Sequence, residues 1–163
     1  MLDLPLTIRC KKRPDTSFQI RKTQIPDPHP PWMKFLPDRL PYPNIVIEVA
    51  VNNESPAKLM LYAHRYFSAM SSIRVWIGVK IWLKEKKFWV GWAELSPAGF
   101  DATMHSNMSW PPDNSSWETP VDIVYPIPIA LVYGPGINIP ENAPPTLDIN
   151  AEEIRLQIME TMT

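Results

Sequence analysis

The sequence predicts an α/β domain with a mixed central sheet, one crossover helix and a proline-rich C-terminal extension that ends in a helix. Three observations predict this class. Two aliphatic runs flank a segment whose apolar residues recur at helical spacing. About twenty residues separate the runs, which is enough for a right-handed crossover between parallel strands. Prolines outnumber glycines by 20 to 5 and cluster outside residues 44 to 95. The compact core is therefore expected within residues 44 to 95.

The N-terminal part of the chain is predicted to hold a short strand and then a linker. The strand is expected within residues 15 to 20, entered from Arg13 and Pro14, so residues 1 to 23 form an N-terminal strand region. Residues 24 to 43 contain seven prolines. Proline lacks a backbone N–H and cannot join a helix interior or a central strand, so this segment is predicted to be an extended linker.

Residues 44 to 51 form the most informative segment, an aliphatic run with Glu48 in its middle. A run of this length, bounded by Pro43 and two asparagines, is typical of a strand buried on both faces. An ionised carboxylate in such surroundings costs several kcal/mol unless a cation, a metal or hydrogen-bond donors compensate it. Glu48 is therefore either a site residue or half of a buried ion pair.

The rest of the core is predicted to be a helix and a hairpin. Ser55 followed by Pro56 is typical of a helix start, and apolar residues at helical spacing extend the predicted helix to Met70. Residues 73 to 83 then alternate between aliphatic side chains and polar or aromatic ones, which predicts a strand with one aliphatic face. The charged residues 84 to 87 indicate a turn into a second strand that begins at Phe88.

Residues 96 to 163 form the predicted C-terminal extension. Its apolar segment from Val121 to Val132 is expected to be an edge strand interrupted by prolines. Asn150 as N-cap, with Glu153 three residues later, predicts a terminal helix.

Composition bounds the possible functions. The chain has 163 residues and a net charge of −1, so nucleic-acid binding would need a local basic patch or a metal rather than a global positive field. The apolar runs are shorter than the roughly 20 residues that span a bilayer. The single cysteine makes no internal disulfide. These features predict an intracellular protein, cytoplasmic or nuclear, with no membrane partner.

Three residues form a candidate catalytic set: Asp15, Glu48 and Lys58. Two carboxylates on adjacent strands can hold a hard cation such as Mg²⁺ or Mn²⁺ through oxygen ligands. The cation would polarise a phosphodiester and activate a water, while the lysine orients that water or offsets negative charge. From spacing alone a structural ion pair accounts for the same residues more simply than a catalytic site, and both interpretations stay open.

The ordered set of motifs resembles the PD-(D/E)XK nuclease superfamily. It comprises residues 13 to 15, residues 43 to 49, Lys58 with its helix, and the strand from Arg74 to Val79. More closely, the chain is similar to the Uma-type restriction endonuclease family, which includes eukaryotic relatives. The resemblance implies a restriction-endonuclease-like fold and a Mg²⁺-dependent endonuclease that hydrolyses DNA. It makes Asp15 and Glu48 the metal ligands.

Two features depart from that resemblance. The lysine expected two residues beyond the second acid is replaced by Ala50, and Lys58 on the following helix is the matching candidate. Only fourteen residues precede Asp15, fewer than the family core needs, which predicts a shortened or degenerate copy.

Two other function classes remain open at this stage. A chain that kept the fold and lost the chemistry would be a catalytically inactive module that binds nucleic acid or protein. A tryptophan-lined ligand-binding domain is the third possibility, since the chain has seven tryptophans.

Overall fold

The computed structural model describes residues 4–7, 10–12, 15–36, 39–51, 54–67, 71–95, 102–112, 116 and 118–161. The strands are β1 Leu4–Thr7, β2 Cys10–Lys12, β3 Thr16–Phe18, β4 Ile45–Ala50, β5 Val75–Trp82, β6 Lys87–Leu95, β7 Ala102–Trp110, β8 Val124–Pro128 and β9 Thr146–Asn150. The helices are α1 Pro56–Tyr66, α2 Ile129–Tyr133 and α3 Ala151–Thr161, and Lys22–Gln24 form a short 3₁₀ turn.

The central sheet has five strands in the order β3-β4-β5-β6-β7. Strands β4 and β5 are parallel and are joined by α1, whereas the other neighbours pair antiparallel. The strand pairs β1-β2 and β8-β9 form two further small antiparallel sheets. The protein is therefore a mixed α/β domain with a mostly antiparallel sheet and few helices. The predicted α/β class is confirmed.

Helix α1 begins as its sequence predicts but ends earlier. The Ser55 hydroxyl accepts a hydrogen bond from the Lys58 N–H at 3.2 Å, and Pro56 opens the helix. The helix ends at Tyr66 rather than at Met70, and the Phe67 N–H donates to the Ala63 carbonyl at 3.1 Å. Residues 68 to 70 lie outside the described residues.

Two apolar cores lie on opposite faces of the sheet. On one face α1 packs over the strands, and this core includes Val46, Ala50, Leu59, Ala63, Tyr66, Trp76 and Trp89. On the other face the aliphatic side of β5 and β6 packs against the C-terminal region, including Val121, Ile127, Ile149, Ala151 and Ile158. The C-terminal region thus supplies part of the core and does not lie apart from it.

The prediction that residues 44 to 51 are buried on both faces is correct for the face under α1. On the opposite face it is correct only for the start of the strand, where Ile45 is 3% exposed. Glu48 is buried under α1, but on the opposite face Val49 is 41% exposed. The reason is that β9 and α3 cover this part of the sheet incompletely, leaving an apolar groove of about 580 Å³ lined by residues such as Ile47, Val79 and Ile154.

Strand β7 is not predicted from the sequence. Residues 102 to 110 form nine residues of strand that pair with β6, although they lack alternating aliphatic side chains. The described side chains of this edge strand are exposed or half-buried, so its sequence carries little of the apolar alternation that marks a buried strand.

Both proline-rich segments pack onto the domain. In residues 24 to 43, Met33, Leu36 and Tyr42 are buried, and Phe35 forms an isolated bridge with Pro41.

Helix α3 begins as predicted, because the Asn150 side chain accepts hydrogen bonds from the backbone N–H groups of Glu152 and Glu153, at 2.9 and 3.3 Å. None of the helices that the structure describes has the length and apolar character needed to cross a bilayer.

Candidate functional site

Glu48 lies in the centre of the sheet, on the face covered by α1. Its side chain alternates with Val46 and Ala50 along β4 and is only 3% exposed. The hydroxyl of Tyr66 donates a hydrogen bond to Glu48 Oε1. A donated hydrogen bond offsets part of the cost of burying a carboxylate. The structure thus gives the unexpected charge in this strand a specific partner.

Tyr66 is a functional candidate that sequence reasoning missed, having counted it only in the apolar stripe of the helix. It is the last residue of α1 and is fully buried. Burial raises its pKa above 10.0, and the hydrogen bond to Glu48 and the charges of Glu48 and Asp15 raise it further. The phenol therefore remains a protonated donor. Helical spacing from Ala63 places it over the sheet, but no sequence signal indicates that it meets Glu48.

Asp15 is brought to the same place by the pairing of β3 with β4. Thr16 pairs with Ile47 in an antiparallel register, so the residue before Thr16 continues the strand alongside Glu48. Asp15 Oδ2 accepts a hydrogen bond from the Val49 N–H at 2.6 Å. Its charge also acts on the phenol of Tyr66. The two acids that the sequence singles out therefore lie together, one exposed and one buried.

Lys58, the predicted third member, lies at the start of α1 in a different setting. Its side chain is 55% exposed, and its Nζ is 3.9 Å from Glu54 Oε1. This pair supplies the local partner that a lysine in the first turn of a helix needs, because the helix dipole there favours anions. The pair with Glu54 thus explains the lysine at this position from the helix start alone.

Lys80 is a second residue that sequence reasoning missed. It lies in β5 directly opposite Ala50, on the face that carries Glu48, and is 1% exposed. Its Nζ lies 5.5 Å from the centre of the Trp82 ring. The signal was present in the sequence, since Lys80 alternates with the aliphatic residues of β5 and must point to the helix-covered face.

Gly78 and Trp76 shape the space beside Glu48. Gly78 is the residue of β5 that pairs with Glu48, and the indole of the fully buried Trp76 lies across it. A Cβ at Gly78 would come within 2.3 Å of Trp76 Cη2. Trp76 and Trp89 are buried in the core, which fits a packing role better than an aromatic platform for bases or sugars.

The carboxylate oxygens of Asp15 and Glu48 are ligands of the kind that a hard cation prefers. In the described part of the chain, no three histidine, cysteine, aspartate or glutamate residues lie together so that they could hold a metal ion. Mg²⁺ binds proteins through one or two carboxylates and takes its other ligands from water and substrate phosphates. A cation here would depend on such outside ligands.

Comparisons with known proteins give no match to a protein-family model, to a curated protein or to a solved structure.

Proposed function

We propose that the protein is a metal-dependent endonuclease with a restriction-endonuclease-like fold, which hydrolyses DNA phosphodiester bonds. Asp15 and Glu48 would hold Mg²⁺ or Mn²⁺. When bound, the cation would polarise the scissile phosphate and lower the pKa of a water. The resemblance to the PD-(D/E)XK superfamily provides the reaction class.

The position of Asp15 on the strand end beside Glu48 is the observation that carries this proposal. These residues are 33 positions apart in the sequence, yet Asp15 bonds the backbone next to Glu48 and acts electrostatically on the phenol that Glu48 binds. From the first acid onward, the elements occur in the order that the resemblance implies: a strand entered from the first acid, a strand with the second, a crossover helix and a parallel strand. Asp15 is exposed, so a substrate can approach from its side.

The burial of Glu48 favours a second candidate function, a catalytically inactive nuclease-fold module that binds nucleic acid or protein. Glu48 is 3% exposed, bonded to Tyr66, and on the same face as the buried Lys80. A carboxylate held only for structure would have the same surroundings.

Metal binding separates the two functions. Isothermal titration of Mg²⁺ and Mn²⁺ into the wild type and the Asp15→Asn/Glu48→Gln double variant, followed by a plasmid-nicking assay, measures both properties in the same samples. The Asp122→Asn/Glu85→Gln variant is the matched control, because it neutralises two exposed acids elsewhere. Glutamine at position 48 keeps an oxygen that accepts from Tyr66, so the fold is expected to survive.

For the endonuclease we expect metal binding and nicking in the wild type and the control, and loss of both in the double variant. A folded wild type that takes up no metal and nicks no plasmid would instead identify the inactive module.

A further inference from the structure

Lys80 is a buried cation next to the two acids. A lysine side chain is almost never fully buried unless it is paired, because desolvating an ammonium costs several kcal/mol. Lys80 is nevertheless 1% exposed, in the middle of a strand and under a helix. Its position therefore needs an explanation from the groups on the same face of the sheet.

The sheet register identifies those groups. Lys80 pairs with Ala50, and Glu48 precedes Ala50 by two residues on the same face of β4. Two residues span about 6.6 Å along a strand and neighbouring strands lie about 4.8 Å apart, so such a diagonal neighbour is about 8 Å away between backbones, within reach of a long side chain. Asp15 lies beside Glu48 on the far side of β4 from Lys80. Glu48 and Lys80 thus lie on two adjacent strands, and Asp15 directly precedes the third.

We propose that Lys80, rather than Lys58, supplies the positive charge of the Asp15–Glu48 site. This inference rests on the proposed endonuclease function. The lysine approaches from the strand next to Ala50, the position where the resemblance expects a lysine and this chain has none. From beside the two acids, the buried ammonium of Lys80 offsets the negative charge of the phosphate.

The formal charges support this assignment. Two carboxylates and a divalent cation sum to zero, and one ammonium leaves the site with a single positive charge that complements an anionic phosphodiester. Lys58 cannot contribute equally, because its ammonium is largely solvated and lies near Glu54.

Three variants test the proposal: Lys80→Met, Lys58→Met and the exchange Lys80→Ala/Ala50→Lys. Methionine keeps the length of the side chain and removes its charge. The exchange moves the lysine across one directly paired position and conserves the summed volume, so repacking is small. Each variant is measured for plasmid nicking, for Mn²⁺ affinity by titration and for thermal unfolding.

We expect Lys80→Met to slow nicking by about 10²-fold or more, the usual effect of removing one charge-stabilising group. Its Mn²⁺ affinity should rise, because a positive charge next to the cation is gone. A lysine with a merely structural role would not move these two readouts in opposite directions. Lys58→Met should match the wild type, and the exchange should recover most of the activity.

The proposal is overturned if folded Lys80→Met nicks as fast as the wild type, or if Lys58→Met loses as much activity. If Lys80→Met does not fold, the exchange variant decides, because a folded but inactive exchange contradicts the assignment. A wild type that neither binds metal nor nicks overturns the endonuclease itself, and this inference falls with it.

Discussion

The hydrogen bond from Tyr66 to Glu48 allows a quantitative prediction. Both side chains are buried, at 0% and 3% exposure, and the acceptor is a carboxylate. Hydrogen bonds to charged groups contribute about 1.5–3 kcal/mol, against about 0.5–1.5 for neutral pairs. Tyr66→Phe removes only the hydroxyl, so the free energy of unfolding should fall by about 1.5–3 kcal/mol. For a chain of this size the melting temperature should fall by roughly 3–12 °C.

Urea unfolding at pH 7, followed by tryptophan fluorescence, measures this loss. Tyr42→Phe is the control, since Tyr42 is buried in the same core and burial alone raises its pKa. A double-mutant cycle with Glu48→Gln isolates the contribution of the charge. If Tyr66→Phe costs no more than Tyr42→Phe, and the cycle shows no coupling, the phenol does not stabilise the buried carboxylate.

The raised pKa of Tyr66 also fixes a pH dependence. In the unfolded chain the phenol loses its proton near its ordinary pKa of 10.0, whereas in the folded protein it keeps it. The folded state then binds more protons, so stability is fully present below pH 10 and falls above it, by about 1.4 kcal/mol per pH unit from this group. Tyr66→Phe should lack this component. Equal slopes in the two proteins between pH 10 and 11 would contradict the assignment.

Three further outcomes follow from local geometry. Gly78→Ala should destabilise the protein by about 1–3 kcal/mol, since its Cβ would lie 2.3 Å from Trp76, and Trp76→Phe in the same chain should recover part of the loss in urea unfolding. Asn150→Ala should cost about 1 kcal/mol by removing the cap of α3, whereas Asn150→Asp should cost little, as thermal unfolding would show. Hydrogen bonds from Arg155 and from the Val121 N–H lower the pKa of Glu152 to about 2. The contribution of the ionised Glu152 to folding stability should therefore be lost as pH falls from 4.5 towards 2. Glu152→Gln should flatten the acid-unfolding curve in that window.

Sequence pattern predicted the local elements because each depends on neighbouring residues. The alternation of β4 and β5, the Ser55 cap and the Asn150 cap are short-range features, and all are present. The end of α1 was misplaced because apolar spacing continues past Tyr66 although the backbone leaves the helix there. The strand β7 was missed because its described side chains are exposed or half-buried and show little apolar alternation.

The candidate site was only half predictable. A lone carboxylate in an aliphatic strand is visible in sequence, and Asp15 followed from its place before a short strand. Lys80 and Tyr66 were not singled out, because their relation to Glu48 depends on which strand lies beside β4 and on where α1 crosses it. Lys58 was chosen for its position in the chain and its match to the resemblance. In the structure its Nζ lies 3.9 Å from Glu54 Oε1, and its catalytic role stays a prediction.

The sequence by itself therefore determined which side chains face each side of a strand or helix, since those faces follow from periods of two and 3.6 residues. Only the tertiary structure decided which faces meet. The parallel register that sets Lys80 opposite Ala50, the crossing that places Tyr66 over Glu48, and the incomplete cover that exposes Val49 all arise between distant segments. Such contacts depend on the packing of the whole chain, and no local pattern encodes them.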